Sequence, residues 1–256
     1  MNRKEFLKGA GLATMGIAMP GAKAEDAAKP LSNVLFLSAH PDDMCSCLGL
    51  ALRMRGKFKV HVCDFTHGEL GLGPAGLADG STKAVRTREE ERVCAEIGAD
   101  LHWMDEIDGN AYATPETCRR IADLIKELNP RAVFGHWPVD CHLDHVMAAA
   151  ALQKAVQLAQ FKGEYYFFEE SKQSRGFVPT YYVDITEFIE EKRRIIRFWA
   201  CQNVDDTLVK IEDACSLARG FQMRRRPKWE GTYAEAFAVY GGVGTELGNI
   251  FAELER

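Results

Sequence analysis

From residue 33 onward, apolar runs of strand length alternate with helical patterns, and this alternation restricts the possible folds more than any other feature. The first run, Asn33 to Ser38 (NVLFLS), is continuous and apolar, as is typical of a buried parallel strand. Strands and helices that alternate at these lengths form βαβ units, which build a twisted parallel sheet with helices on both faces. We therefore predict a three-layer, Rossmann-like α/β fold with a mostly parallel sheet.

The predicted elements cover most of the chain after that point. Strands are expected at 33–38, 58–65, 101–104, 132–135, 164–168 and 180–185, and helices at 44–55, 86–97, about 115–129, 144–160 and 186–202. Thr114-Pro115 marks a helix start and Asn129-Pro130 a helix end. The elements after residue 160 are less regular and are expected to supply edge strands and a covering helix. No linker or repeat interrupts the chain, so we predict one domain over residues 25–256.

The first 24 residues differ from the rest. Arg3, Lys4 and Lys8 flank the start of a short apolar run of small residues, and Ala22-Lys23-Ala24 has the pattern of a cleavage site. This layout predicts a signal peptide over residues 1–24, similar to twin-arginine signals except that Lys4 replaces the second arginine. We expect a bacterial protein that is exported, to the periplasm or elsewhere outside the cytoplasm. A frayed amphipathic N-terminus is the alternative.

The charge of the chain excludes some partners. The net charge is −5, and removal of residues 1–24, which hold four basic residues and one acidic residue, would change it to −8. Such an acidic protein is not expected to bind nucleic acid. The basic run Arg224-Arg225-Arg226-Pro227-Lys228 is predicted to be a solvated loop, with contact to an anionic substrate or partner as the alternative. The N-terminal apolar run is too short to span a bilayer, so no membrane span is expected in the mature form.

The placement of four of the eight cysteines, Cys45, Cys47, Cys63 and Cys94, predicts buried thiols rather than disulfides, and the redox state of the cysteines stays open. Cys63 lies in the apolar run KVHVCDF and Cys94 in a helical pattern, which are positions for small buried side chains rather than for disulfides. The Cys45-x-Cys47 spacing does not fit a zinc knuckle.

A histidine and two carboxylates follow the first strand, in Ala39-His40-Pro41-Asp42-Asp43. Ligands of open α/β sheets bind beyond the carboxyl ends of the strands. His40 and Asp43 can converge on one cation if the chain turns, and Pro41 favours a turn. Adjacent carboxylates rarely point the same way, so Asp42 is left free to act as a general base. A helix N-cap would explain one aspartate here but not two beside a histidine.

A second polar cluster runs from His136 to His145, at the end of another predicted strand. Three of the seven histidines and two aspartates lie within these ten residues. His142 and His145 are three residues apart and can share one face of a helix start. This density predicts a functional site rather than isolated structural histidines.

The two motifs, A-H-P-D-D and D-x-H-x-D-H, together resemble the PIG-L/LmbE-like zinc de-N-acetylase family. The resemblance covers roughly residues 33–240. It extends to four further segments, namely Thr66-His67-Gly68-Glu69, Arg86-x-x-Glu89, Lys192 to Gln202, and Tyr233-Ala234-Glu235-Ala236-Phe237. The family usually has Glu where this chain has Met44, which predicts a change in polarity near the site.

The resemblance implies an enzyme that removes an acetyl group from the amide nitrogen of an N-acetylated sugar or sugar conjugate. It implies one divalent metal ion, expected to be zinc, with three ligands: His40, Asp43 and His145. Asp42 would be the general base, His142 would stabilise the oxyanion or protonate the leaving amine, and Asp144 would orient a histidine. Arg86 would contact the substrate, although Arg88-x-x-Glu91 has the same spacing.

Other interpretations stay open at this point. The segment Gly71 to Gly76 matches G-x-G-x-x-G, but it contains Pro74 and precedes no helix, so a loop at the rim of the site is predicted instead of a phosphate cradle. The chain could be a metal-dependent hydrolase of another bond, such as a phosphoester, or a non-catalytic protein that binds carbohydrate or metal. The expected partner is a small-molecule or glycan substrate, and the oligomeric state is open.

Overall fold

The computed structural model describes residues 30–71, 81–241 and 250–254. In these ranges seven strands form one sheet, in the order β3-β2-β1-β4-β5-β7-β6. The strands are β1 (Ser32–Ser38), β2 (Phe58–Thr66), β3 (Asp100–Glu106), β4 (Ala132–His136), β5 (Glu164–Phe168), β6 (Tyr181–Asp184) and β7 (Ala234–Val239). The first five strands pair in parallel, whereas β7 pairs antiparallel with both β5 and β6. The mostly parallel sheet predicted from the sequence is confirmed.

Seven α-helices connect and flank the strands in the described ranges. They are α1 (Leu48–Met54), α2 (Ser81–Ile97), α3 (Pro115–Leu128), α4 (Leu143–Leu158), α5 (Ile189–Ile196), α6 (Thr207–Met223) and α7 (Ile250–Leu254). The ends of α3 follow the sequence signals: the Thr114 side chain accepts a hydrogen bond from the Thr117 backbone N–H, and Asn129 ends the helix in the left-handed conformation.

The sheet separates two apolar cores. Alternate residues of β1 face opposite sides, so Val34 and Phe36 pack in one core and Leu35 and Leu37 in the other. Helices α3 and α4 cover the second core, and the remaining helices contribute to the first. This arrangement confirms the three-layer α/β fold, and Leu31–Arg256 forms one compact unit.

The structure differs from the predicted elements in several places, and α2 begins five residues before the helix predicted at 86–97. The helix predicted at 44–55 begins as a 3-10 turn over Asp43–Cys47 before α1. The helix predicted at 186–202 is the shorter α5, preceded by another 3-10 turn. Helix α6 and strand β7 had not been predicted as elements. Strand β7 lies between β5 and the edge strand β6 and pairs antiparallel with both.

All eight cysteines lie within the described ranges and are free thiols. Cys45, Cys47, Cys63 and Cys94 are buried, as predicted, and Cys118 is buried as well. The helices that the structure describes include none with the length and apolar character needed to cross a membrane. The predicted signal segment, residues 1–24, and most of the Gly71–Gly76 segment lie outside the described residues.

Candidate metal centre

A cavity of about 310 Å³ lies beyond the carboxyl ends of the parallel strands. Loops that follow all five parallel strands, together with α2, α4 and the segment after α5, contribute side chains to it. The lining residues are His40, Asp42, Asp43, Leu70, Gly71, Arg86, Asp108, Gly109, His142, His145, Lys172, Gln173 and Gln202. The sheet therefore brings the two motifs, about a hundred residues apart in sequence, into one site.

The turn after β1 points the two adjacent carboxylates in different directions. Asp42 adopts a left-handed conformation, with φ 92° and ψ −24°. The Asp43 Oδ2 atom accepts hydrogen bonds from the backbone N–H groups of Ala39 at 3.1 Å and His40 at 2.8 Å. The Asp43 carboxylate is thus fixed toward the histidines, while the Asp42 carboxylate faces Arg86.

Imidazoles surround Asp43. Its Oδ1 atom lies 3.4 Å from Nε2 of His145, and its Oδ2 atom lies 3.4 Å from Nδ1 of His40. One potential ligand atom from each of His40, His142 and His145 lies within 4.8 Å of the others. Burial alone would raise the pKa of Asp43, but the charges of His145 and His136 hold it well below its usual value. Asp43 is therefore an ionised carboxylate among imidazoles.

This cluster fits a divalent transition metal. Nitrogen and carboxylate oxygen ligands suit zinc, and two ligand atoms bound tetrahedrally at zinc distances lie about 3.3 Å apart. The separation of 3.4 Å between His145 Nε2 and Asp43 Oδ1 matches that spacing. His136 fits less well as a ligand, because its Nε2 atom accepts a hydrogen bond from the Ala39 backbone N–H at 3.0 Å.

Two aspartates lie behind His40. Its Nε2 atom is 3.2 Å from Oδ1 of Asp108 and 3.2 Å from Oδ2 of Asp144. The Asp144 carboxylate is itself held by the backbone N–H of Gly109 at 2.6 Å. Burial opposes ionisation of Asp108, but its hydrogen bond to His40 is among the interactions that lower its pKa to about 2. The structure thus places Asp144 against His40, where a carboxylate can orient the ring.

The start of α4 fixes His142 and His145 relative to each other. The Asp140 Oδ1 atom accepts the backbone N–H of His142 at 2.8 Å and lies 3.3 Å from Nδ1 of His145. The His142 Nδ1 atom accepts the backbone N–H of Asp144 at 3.3 Å and so caps the helix. In its neutral form, His142 then carries its proton on Nε2. Burial lowers the pKa of His142, which favours that neutral form.

Arg86 is buried at the side of the cavity, whereas its rival Arg88 is exposed. The Arg86 guanidinium donates through Nη2 to Oδ1 of Asp42 and to the Pro41 carbonyl oxygen. A Cβ atom at Gly68 would overlap this guanidinium, so glycine there leaves room for it. Arg86 was predicted to bind substrate; in the structure it lines the cavity, and its Nη2 contacts are with the turn that carries Asp42.

Asp42 is affected by opposing interactions. Burial raises its pKa, and the positive charge of Arg86 acts in the opposite direction without cancelling the rise.

Met44, which replaces the expected Glu, does not line the cavity. It is buried in the first core, where the Cys47 thiol donates to its sulfur at 3.5 Å. The change in polarity predicted from the replacement of Glu by Met44 therefore lies in the first core, next to the turn that carries Asp42, and not in the cavity wall.

Sequence reasoning missed several lining residues. Asp108 and Gly109 follow β3, and Lys172 and Gln173 follow β5. Each belongs to a loop at the carboxyl end of a parallel strand, and this position was the one signal that could have identified them. Gln202, noted only as part of a similar segment, also lines the cavity.

Comparisons with known proteins agree with this architecture. The chain is 28% identical over 217 residues to 4-oxalmesaconate hydratase of Pseudomonas putida, and the aligned region covers 77% of this chain and 83% of that protein. It is 29% identical over 199 residues to diacetylchitobiose deacetylase of Thermococcus kodakarensis, and the aligned region covers 69% of this chain and 72% of that protein. The crystal structure of 4-carboxy-2-hydroxymuconate hydratase from Pseudomonas putida has the same fold, with a TM-score of 0.73 and 24% identity over 86% of this chain and 100% of that chain.

A family model described as PIG-L, GlcNAc-PI de-N-acetylase, matches residues 35–156. This range contains both sequence motifs, the second half of β1 and the strands β2 to β4. The match agrees with the resemblance to the PIG-L/LmbE-like family that the motifs indicate.

Proposed function

We propose that this protein is a metal-dependent hydrolase that removes an acetyl group from the amide nitrogen of an N-acetylated sugar or sugar conjugate. The observation that carries the proposal is the presence, in one cavity, of a carboxylate outside the histidine cluster, Asp42, beside four potential metal ligands: His40, Asp43, His142 and His145. The family match and the similarity to a diacetylchitobiose deacetylase support this choice of substrate class.

In the proposed site, His40, Asp43 and His145 hold the ion, and zinc suits this set of nitrogen and oxygen ligands. When bound, such an ion supplies Lewis-acid activation of the carbonyl group and of water. Asp43 is suited to this position because its carboxylate stays ionised and its Oδ2 atom is fixed by two backbone N–H groups. Asp144 orients His40, the ring that it contacts at 3.2 Å.

Asp42 is the proposed general base. Its carboxylate takes a proton from the attacking water as the oxygen adds to the amide carbonyl carbon. Burial raises the pKa of Asp42, which makes the carboxylate a better proton acceptor, and Arg86 fixes its direction through the contact with Oδ1.

His142 is the proposed partner of Asp42. Its Nδ1 atom is engaged by the Asp144 backbone, so Nε2 presents an N–H group. This group can donate to the carbonyl oxygen as negative charge develops there. The amine nitrogen is protonated as the C–N bond breaks, by the proton that Asp42 has taken from the water, and acetate and a free amine are then the products.

The test combines metal analysis with acetate release from a panel that includes N-acetylglucosamine and diacetylchitobiose. We expect Asp42→Asn to keep its metal while kcat falls on the order of 10²-fold or more, and His145→Ala to lose the metal. Asp123→Asn is the control, because this carboxylate on α3 is exposed and pairs only with Lys126 among the described residues. Full activity of Asp42→Asn with metal retained would contradict the assignment.

A second candidate, the addition of water to a carbon–carbon double bond, is favoured by the similarity to 4-oxalmesaconate hydratase, which covers more of this chain than the deacetylase similarity does. A general base beside an activated water serves that reaction as well. Incubation with 4-oxalmesaconate decides between the two: turnover there, with no acetate released from any N-acetylated sugar, would replace the deacetylase proposal.

We also propose that the protein is exported after cleavage near Ala24, as the first residues predict. Mass spectrometry of the protein recovered from outside the cytoplasm should give an N-terminus at Glu25. An N-terminus still at Met1 would contradict cleavage.

A further inference from the structure

The turn after β5 is fixed to the segment that carries the catalytic histidines. Within the turn, the Glu170 carbonyl oxygen accepts the backbone N–H groups of Gln173 and Ser174, each at 3.0 Å. The Ser174 hydroxyl donates to Oδ2 of Asp140 at 2.9 Å, and the Cys141 backbone N–H donates to the Gln173 carbonyl oxygen at 3.2 Å. The backbone of residues 170–174 is therefore held in place beside His142.

The side chains of this turn differ in their partners. Glu170 is buried and accepts the Ser46 hydroxyl at 3.0 Å, and the Ser171 hydroxyl donates to Glu212 at 2.6 Å. Lys172, between these anchored residues, is exposed and lines the cavity. Its ammonium group makes no hydrogen bond or ion pair with the part of the chain that the structure describes, although its charge acts on the Asp42 carboxylate. A rigid backbone thus presents an unpaired cation to the cavity.

Gln173 adds a second unused group. Its side chain lines the cavity, and its Oε1 atom is buried without a hydrogen-bond donor among the described residues. Buried acceptors in folded proteins are normally satisfied, so an unsatisfied one at a cavity wall points to a donor supplied by a ligand. A hydroxyl or N–H group of a sugar is such a donor.

The other cation of the cavity is already engaged. Arg86 is buried and contacts the Asp42 carboxylate and the Pro41 carbonyl oxygen. Among the described lining residues, Lys172 is therefore the cation that remains available to a bound molecule. A cation on a fixed backbone next to a polar acceptor is suited to an anionic group carried on a hydroxylated ring.

We infer that Lys172 and Gln173 form an anion-recognition subsite, and that the preferred substrate is an N-acetylated sugar that carries an acidic group such as a phosphate. The inference rests on the proposed deacetylase function for the identity of the scissile bond. Lys172 binds the acidic group, and Gln173 Oε1 accepts a hydrogen bond from the sugar.

The test compares kcat/KM for N-acetylglucosamine 6-phosphate with that for N-acetylglucosamine in three proteins: the wild type, Lys172→Met and Lys162→Met. Lys162 is the matched control, because it is an exposed lysine before the opposite end of β5. We expect the wild type to prefer the phosphorylated sugar and the ratio of the two kcat/KM values to fall about tenfold in Lys172→Met, as for the loss of a charged hydrogen bond. The ratio should stay unchanged in Lys162→Met.

A ratio that is equally low in the wild type and in Lys172→Met would overturn the inference, as would an equal fall in both lysine variants. If no N-acetylated sugar releases acetate, the deacetylase proposal fails, and titration calorimetry with glucosamine 6-phosphate then decides the subsite separately. Binding that weakens about tenfold in Lys172→Met alone supports the subsite. Absent binding, or binding that Lys172→Met does not change, overturns it.

Discussion

Lys192 offers a demanding test of how the layer beneath the site is held together. It lies on α5 with 1% of its surface exposed, and its Nζ atom donates to Glu235 Oε1 at 2.8 Å and Glu212 Oε2 at 3.1 Å. Lys192→Met keeps the unbranched apolar stem of the side chain but removes the charged terminal group, leaving two buried carboxylates without their cation. Breaking a buried ion pair in this way costs about 3–5 kcal/mol.

The structure narrows this range for Lys192→Met. Glu235 also accepts the backbone N–H groups of Gly49 at 2.8 Å and Leu50 at 2.7 Å, and Glu212 keeps the Ser171 hydroxyl. Because each carboxylate retains a donor, we expect the lower end, a loss of about 3 kcal/mol in the free energy of unfolding.

Urea unfolding followed by tryptophan fluorescence measures this loss, since Trp199 is buried in the same core. Arg55→Ala is the control: its pair with Glu191 is exposed to solvent and should contribute less than about 1 kcal/mol. A loss in Lys192→Met no larger than that of the control would refute the reasoning, because the two carboxylates would then not depend on the buried cation.

Two further predictions concern single residues. Asp144→Asn should weaken zinc binding about 10–100-fold, because a neutral amide orients His40 less firmly; competition with a chelator of known affinity measures this, and unchanged affinity would remove Asp144 from the supporting role. Gly220→Ala should lower the free energy of unfolding by about 1–3 kcal/mol, although alanine favours helices, because a Cβ atom there would overlap the Thr232 carbonyl oxygen. Thermal unfolding measures this loss of stability. A stabilised variant would contradict the prediction, because it would show that the segment around Thr232 moves away from α6 at little cost.

Much of the fold could be predicted from local sequence signals. The apolar run NVLFLS gave β1 to within one residue, and Thr114-Pro115 and Asn129 mark both ends of α3. Helix α6 was not predicted, because some of its polar residues are buried and some of its apolar residues are exposed. Glu212 and Ser216 face inward, whereas Leu217 and Phe221 are exposed. Its buried polar residues are satisfied by partners distant in sequence, which no local pattern reveals.

The site was predictable to a similar extent. The motif residues around His40 and His142 do converge in one cavity, because parallel strands end at the same edge of a sheet. The contact between Arg86 and Asp42 depends on the left-handed turn and on the packing of α2, and neither follows from spacing. Lys172 and Gln173 belong to no motif, and the irregular segment around them gave no reason to single them out.

The left-handed backbone at Asp42 limits what can replace this residue. Most side chains are strained at positive φ, whereas asparagine tolerates it and glycine adopts it freely. Asn also keeps an oxygen that can accept from Arg86. Asp42→Asn should therefore preserve the pocket while it slows turnover on the order of 10²-fold or more. Incubated briefly with a metabolite extract and analysed by native mass spectrometry, this variant would retain the intact natural substrate for identification.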